Sequence, residues 1–153
     1  MEEVDLSPRV TSSMNAELTF VDTNVLVYAH DVDAGIKHDR ARSVVADLWT
    51  SGSGTLSTQV LQELYVNLTR KLIPPMPRPL ARAVIENYSA WPVQRLEPDD
   101  VIAASEVEDA HRLSFWDALI LVAARRSGAS RLVTEDLHPG SIIDGVRIES
   151  PFA

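Results

Sequence analysis

The sequence predicts an α/β domain with a mainly parallel sheet, and three observations predict it. Short, mostly apolar runs at 18–22 and 130–134 read as buried strands, the pattern expected where a sheet is covered on both faces, and a brief run at 54–58 is strand-like. Longer stretches between them carry apolar residues at helical spacing. The two kinds of segment alternate, which is the order that builds parallel strands joined by crossover helices.

The elements follow in order. MEEVDLSPRVTSSMNAE (1–17) is polar and reads as a flexible tail, leaving a folded domain over 18–153; Met14 is a second candidate start, since the apolar pattern begins at Leu18. LTFVD (18–22) is a buried strand, and Thr23 and Asn24 offer a helix start for VLVYAH. Residues 34–50 carry Ile36, Val44, Val45, Leu48 and Trp49 among charges, an amphipathic helix stopped by Gly52 and Gly54. GTLST (54–58) is strand-like, and Gln59 to Leu72 sets Val60, Leu61, Leu64 and Leu68 at helical spacing. Pro74, Pro75, Pro77 and Pro79 form a break. A helix over 80–89 and a strand near Trp91–Val93 follow. Pro98, Asp99 and Asp100 open a helix, as a proline and acids at a positive helix end should. Ser114 opens the most apolar helix, SFWDALILVAARRSG, closed by Gly128. SRLVT (130–134) is a buried strand and 145–149 a last edge strand. Repeats and low-complexity segments are absent.

Composition narrows the function. The 153 residues suit one domain. There are no cysteines, which excludes disulfides, zinc ribbons and thiol nucleophiles and suits a reducing cytoplasm. No apolar run reaches the ~18 residues of a membrane span, and the first 17 residues lack the basic start and apolar stretch of a secretory signal. Lys and Arg number 14 against 22 Asp and Glu, a net charge of −8. That argues against a protein gripping nucleic acid through clustered cations. It leaves open an enzyme that holds phosphate through bound metal, or an acidic protein with a basic partner.

Open α/β sheets build their sites beyond the carboxyl ends of the strands. Two strands here run into an aspartate, Asp22 and Asp136. Glu63 lies beside Leu64, between Val60 and Leu68, and Asp117 is one turn into the apolar helix. Hard divalent cations take oxygen ligands, and gathered carboxylates repel one another unless a cation lies between them. Asp22, Glu63, Asp117 and Asp136 therefore form a candidate magnesium cage. Each also has a plainer reading: Asp22 as a helix cap, Glu63 as a solvated helix residue, Asp117 as the partner of Ser114 in an S-F-W-D capping box, Asp136 as a turn cap. His30, His38, His111 and His138 show no zinc-type spacing, and G-x-S-x-G, P-loop and dinucleotide motifs are absent. Basic residues cluster loosely as Arg70, Lys71, Arg78 and Arg82, and as Arg125, Arg126 and Arg131; a solvated face explains both, and the first could instead touch an RNA backbone.

At these residues the sequence resembles the PIN-domain family, and within it the VapC-like toxins of toxin–antitoxin pairs. FVDTNVLVYAHD (20–31) resembles its opening strand and D-T-N motif, SFWDALILVAARRSGASRLVTEDL (114–137) its acidic helix and following strand, and GVRIESPF (145–152) its ending. The likeness spans roughly 18–152; Ser150 stands where many relatives carry asparagine. It implies a three-layer α/β/α fold and cleavage of single-stranded RNA with Mg2+ or Mn2+. It puts the acidic positions on Asp22, Glu63, Asp117 and Asp136, and supporting polar positions on Asn24, Ser114 and Thr134. It also implies a homodimer held inactive by a cognate antitoxin over the acidic groove.

The expected chemistry is metal-assisted phosphodiester hydrolysis, with Asp22 and Asp117 as direct ligands, Asp136 direct or through water, and Glu63 completing the site or positioning the water. A phosphatase of the haloacid-dehalogenase type also begins with an aspartate after a buried strand, but it uses D-x-D, and here the run is Asp22-Thr23-Asn24. A non-catalytic interaction module keeping the fold is the remaining alternative.

Overall fold

A computed structural model describes residues 17–153. The tail expected over 1–17, Met14 included, lies outside the described residues except for Glu17. The chain runs β1 (Thr19–Val21), α1 (Thr23–His30), a 3-10 turn (Val32–Ala34), α2 (Ile36–Ser51), β2 (Gly54–Ser57), α3 (Thr58–Arg70), α4 (Arg78–Tyr88), β3 (Val93–Gln94), α5 (Pro98–His111), α6 (Phe115–Arg126), β4 (Arg131–Val133), β5 (Ile142–Ile143) and β6 (Val146–Glu149). The sheet order is β3-β2-β1-β4-β6-β5. Five strands are parallel and β5 pairs antiparallel with β6. The expected α/β architecture, a mainly parallel sheet flanked by helices, is what forms.

The core explains the register. Leu132 of β4 sits opposite Phe20 of β1 and Ile148 of β6, and all three are fully buried. Val25 and Leu26 of α1, Leu64 and Leu68 of α3, and Leu121 and Val122 of α6 join them in the same core. Burying each side chain of this size contributes about 1.5–3 kcal/mol. A one-residue slip of a central strand would turn its apolar set away from that core.

Three elements differ from expectation. The strand at 145–149 is not an edge strand, because β5 covers its outer side. The connection is a two-residue turn, Asp144–Gly145, with positive φ at both positions (51° and 83°). Asp-Gly is a preferred pair for such a hairpin turn. Helix α4 begins at Arg78 with Pro79 in its first turn, where the missing N–H has no helical partner to lose. In α2, Ile36 and Trp49 stay 66% and 41% exposed, and Ala41, Val45 and Leu48 make the buried stripe instead.

Topology fixes where a site can form. From β1 the chain proceeds outward to β2 and β3, whereas β4 returns to the opposite side of β1. The order therefore switches direction between β1 and β4, and crevices of open α/β sheets lie at the carboxyl ends of such a pair. Asp22 follows β1 and Thr134 follows β4 at that point, tied by a backbone bond from Asp22 N to Val133 O of 3.0 Å.

Candidate active site

Asp22 follows β1 and caps α1, with Thr23 N donating to its Oδ1 at 2.7 Å. The Thr134 hydroxyl donates to its Oδ2 at 2.8 Å. The side chain is nearly buried, 5% exposed. Burial pushes its carboxyl up to about 7, and the charges of Asp136 and Glu63 add to the rise against the lowering effect of its two hydrogen bonds. The capping and cleft readings are compatible here: one carboxylate does the first while lining the second.

The other acids arrive from separate elements. Glu63, on α3, accepts from the Thr23 hydroxyl at 2.8 Å and from Gln59 Nε2 at 3.1 Å. Asp117 opens α6, where Ser114 Oγ accepts from its backbone N at 3.1 Å. Only this half of the expected capping box forms among the described residues; a full box occurs instead between Glu97 and Asp100 at the start of α5. Asp136 accepts from Asn24 Nδ2 at 2.9 Å, while Asn24 Oδ1 accepts from Glu135 N at 3.2 Å. Burial first, and then the neighbouring Asp117 charge, raise the Asp136 carboxyl above the usual range.

Asp22, Glu63, Asp117 and Asp136 all line one cleft of about 330 Å3. Asn24 lines it too, whereas Thr134 is fully buried beneath it and Ser114 acts only through the α6 cap. No Lys, Arg or His lines this cleft, and none of the four acids has an ion-pair partner among the described residues. A larger groove of about 450 Å3, lined by His30, Trp49 and Tyr88 among others, contains no carboxylate.

The donors suit a hard divalent cation: they are oxygens, no cationic side chain lines the cleft beside them, and burial first and then like charges raise the Asp22 carboxyl to about 7. The fit is of chemistry and not of preformed geometry. Among the described residues no group of three or more Asp, Glu or His side chains stands ready to hold an ion. Glu63 and Asp136 spend oxygens on Thr23, Gln59 and Asn24.

Sequence reasoning missed Thr23, Gln59, Asn67 and Trp116, which all line the cleft. Gln59 and Asn67 carried a signal, since each is four residues from Glu63 on the same helix stripe. The second basic cluster is structural: Arg125 pairs with Asp144 at 3.0 Å, Arg126 with Asp100 at 2.7 Å and Arg131 with Glu149 at 3.0 Å. Two of the histidines take partners away from this cleft, His38 Nδ1 at Tyr28 O and His30 Nε2 at the Tyr88 hydroxyl.

The family described as PIN domain matches residues 19–139. No curated protein sequence matches the chain. Among solved structures, the chain resembles VapC20 of Mycobacterium tuberculosis, a toxin that cleaves the sarcin–ricin loop, with 24% identity and a TM-score of 0.59 over 74% of this chain and 86% of that one. It resembles a toxin–antitoxin complex from Klebsiella pneumoniae with 17% identity and a TM-score of 0.64, over 87% and 97% of the two chains. It also resembles a DNA-bound VapBC from Salmonella typhimurium, with 18% identity and a TM-score of 0.62 over 89% and 99%. At these identities the structural likeness establishes the fold.

Proposed function

The chain belongs to the PIN domain family, and from that premise we propose that it is a metal-dependent endoribonuclease, the toxin of a toxin–antitoxin pair. The observation that carries the reading is the convergence of Asp22, Glu63, Asp117 and Asp136 from four segments on one cleft without a lining cation. The toxin described for the Mycobacterium tuberculosis neighbour, and the complexes of the others, support it by likeness of fold.

Asp22, Asp117 and Asp136 would hold Mg2+, or Mn2+ in its place, and Glu63 would complete the site or orient the attacking water. A divalent cation bound there supplies Lewis acidity, lowering the pKa of water and offsetting charge on the scissile phosphate. The chain's own part is orientation. Thr134 and Thr23 N fix both Asp22 oxygens, Asn24 fixes Asp136, and Thr23 with Gln59 fixes Glu63. Binding of a cation would also favour the ionised Asp22 carboxyl, against the burial and, to a smaller extent, the neighbouring charges of Asp136 and Glu63 that raise its pKa.

A homodimer, a cognate antitoxin covering the acidic groove and a cytoplasmic location belong to the same proposal; no helix among the described residues is long and apolar enough to cross a membrane. Asp22→Asn tests the reading. It should abolish RNA cleavage with the fold retained by circular dichroism, and cleavage at the wild-type rate would remove Asp22 from the chemistry. Metal and RNA binding without cleavage by the wild type would instead favour the non-catalytic module.

A further inference from the structure

Trp116 precedes Asp117 in the first turn of α6, lines the acid cleft and is nevertheless 62% exposed. Its ring meets Phe115 edge to face, centroids 5.3 Å apart at 80°, and Phe115 packs against the core. A large aromatic is thus kept in water at a charged site with a core-anchored ring behind it. Across α3, Glu63 and Asn67 line the same cleft. An adjoining groove shares those two residues and continues to Lys71. Glu63, Asn67 and Lys71 recur every four residues, so they form one stripe leading from the acids to an amide and then to a cation. Lys71 is exposed and has no ion-pair partner among the described residues.

This sequence of groups matches an unpaired nucleic-acid strand, whose bases offer flat faces to an aromatic ring and whose phosphates suit an ammonium. We propose that Trp116 stacks on a base adjoining the scissile phosphate and that Lys71 pairs with a flanking phosphate. The inference rests on the ribonuclease reading above and deepens it, because it selects a strand or loop whose base can leave its own stack. Paired RNA would hide the base face from the indole. An acidic protein also needs such local contacts, since its net charge of −8 repels RNA overall.

The test uses the full, partner-free chain and a short unstructured RNA containing the wild-type cleavage site, alongside copies with one abasic position each. Binding is followed by anisotropy with calcium replacing magnesium, and cleavage by kinetics in magnesium. Trp116→Ala should raise Kd and KM by about 10-fold, the scale of one base–aromatic stack, with a much smaller change in kcat. Trp116→Phe should recover most of the loss. One abasic position should cost the wild type a similar factor and cost Trp116→Ala nothing further. Lys71→Gln should lower the slope of log Kd against log salt by about 0.7, the share of one phosphate contact on a single strand.

Wild-type affinity and KM in Trp116→Ala would overturn the proposal. So would a loss that simply multiplies with every abasic position, or unchanged RNA affinity with an altered oligomeric state, which would assign Trp116 to a protein contact. Wild-type chain that binds a short unstructured RNA without cutting it in any metal would remove the nuclease reading and with it the scissile phosphate, and the abasic series made on that RNA would still decide whether Trp116 stacks on a base. No RNA binding by the wild type would end both.

Discussion

The Thr134 hydroxyl donates to Asp22 Oδ2 at 2.8 Å and accepts from Asp136 N at 3.1 Å. One side chain thus positions two of the four acids, joining the ends of β1 and β4 across the switch point of the sheet. Thr134→Val keeps the shape and removes both bonds. Asp22 would then protonate more readily, because the Thr134 bond opposes the effect of burial. The expected result is an alkaline shift in the pH profile of cleavage, reversed by Thr134→Ser. A drop in rate with an unmoved profile would mean that Thr134 acts only on packing.

Stability should record the buried carboxyl. The Asp22 carboxyl has a folded-state pKa of about 7 against 3.8 in the unfolded chain. Between those values the native state holds the extra proton, so stability is greatest on the acid side and falls as pH rises through the window. The loss is on the order of a few kcal/mol. In chelator, denaturant titrations of wild type minus Asp22→Asn should show this fall, and saturating Mg2+ should restore part of it at about pH 8. A pH-independent difference between the two proteins would contradict the account.

Asn24 bridges Asp136 and the Glu135 backbone. Asn24→Ala should therefore weaken metal binding about 10-fold, within the usual effect of losing a group that orients a ligand, with little change in the denaturation midpoint. Calorimetric titration of Mn2+ checks it. Unchanged affinity would show that Asp136 needs no such support.

Two substitutions should act on stability and not on chemistry. Asp100 is 1% exposed and its Oδ1 accepts from Arg126 at 2.7 Å. Arg126→Met leaves that carboxylate buried without its cation and should cost about 2 kcal/mol. At Gly54 an added Cβ would lie 2.8 Å from the buried Trp91 ring, so Gly54→Ala should cost about 1–3 kcal/mol through overpacking. Cleavage per folded molecule should match wild type in both. A stability change below about 0.5 kcal/mol, the usual size for a surface site, would refute either assignment.

Much of this was legible in the sequence because it is local. Apolar runs marked β1 and β4, a brief strand-like run marked β2, and strands ending in or near Asp22 and Asp136 pointed to the sheet edge where the cleft lies. Hidden were relations carried by distant residues. Thr134 meets Asp22 across 112 positions and Thr23 meets Glu63 across 40, and no spacing rule encodes either contact. The misplaced edge at 145–149 had a readable cause, since Asp144–Gly145 signals the hairpin that adds β5. Trp116 was concealed by its surroundings: an aromatic in the most apolar helix reads as core, and only the fold leaves it exposed beside the acids.

The central claim is that these acids form a metal-dependent ribonuclease site. The most direct measurement is cleavage of total cellular RNA by purified, partner-free protein in Mg2+, in Mn2+ and in chelator, beside Asp117→Asn. The account predicts discrete cleavage by the wild type with either metal and none in chelator or by the variant. Cleavage that survives the chelator, or that Asp117→Asn performs at the wild-type rate, would contradict it.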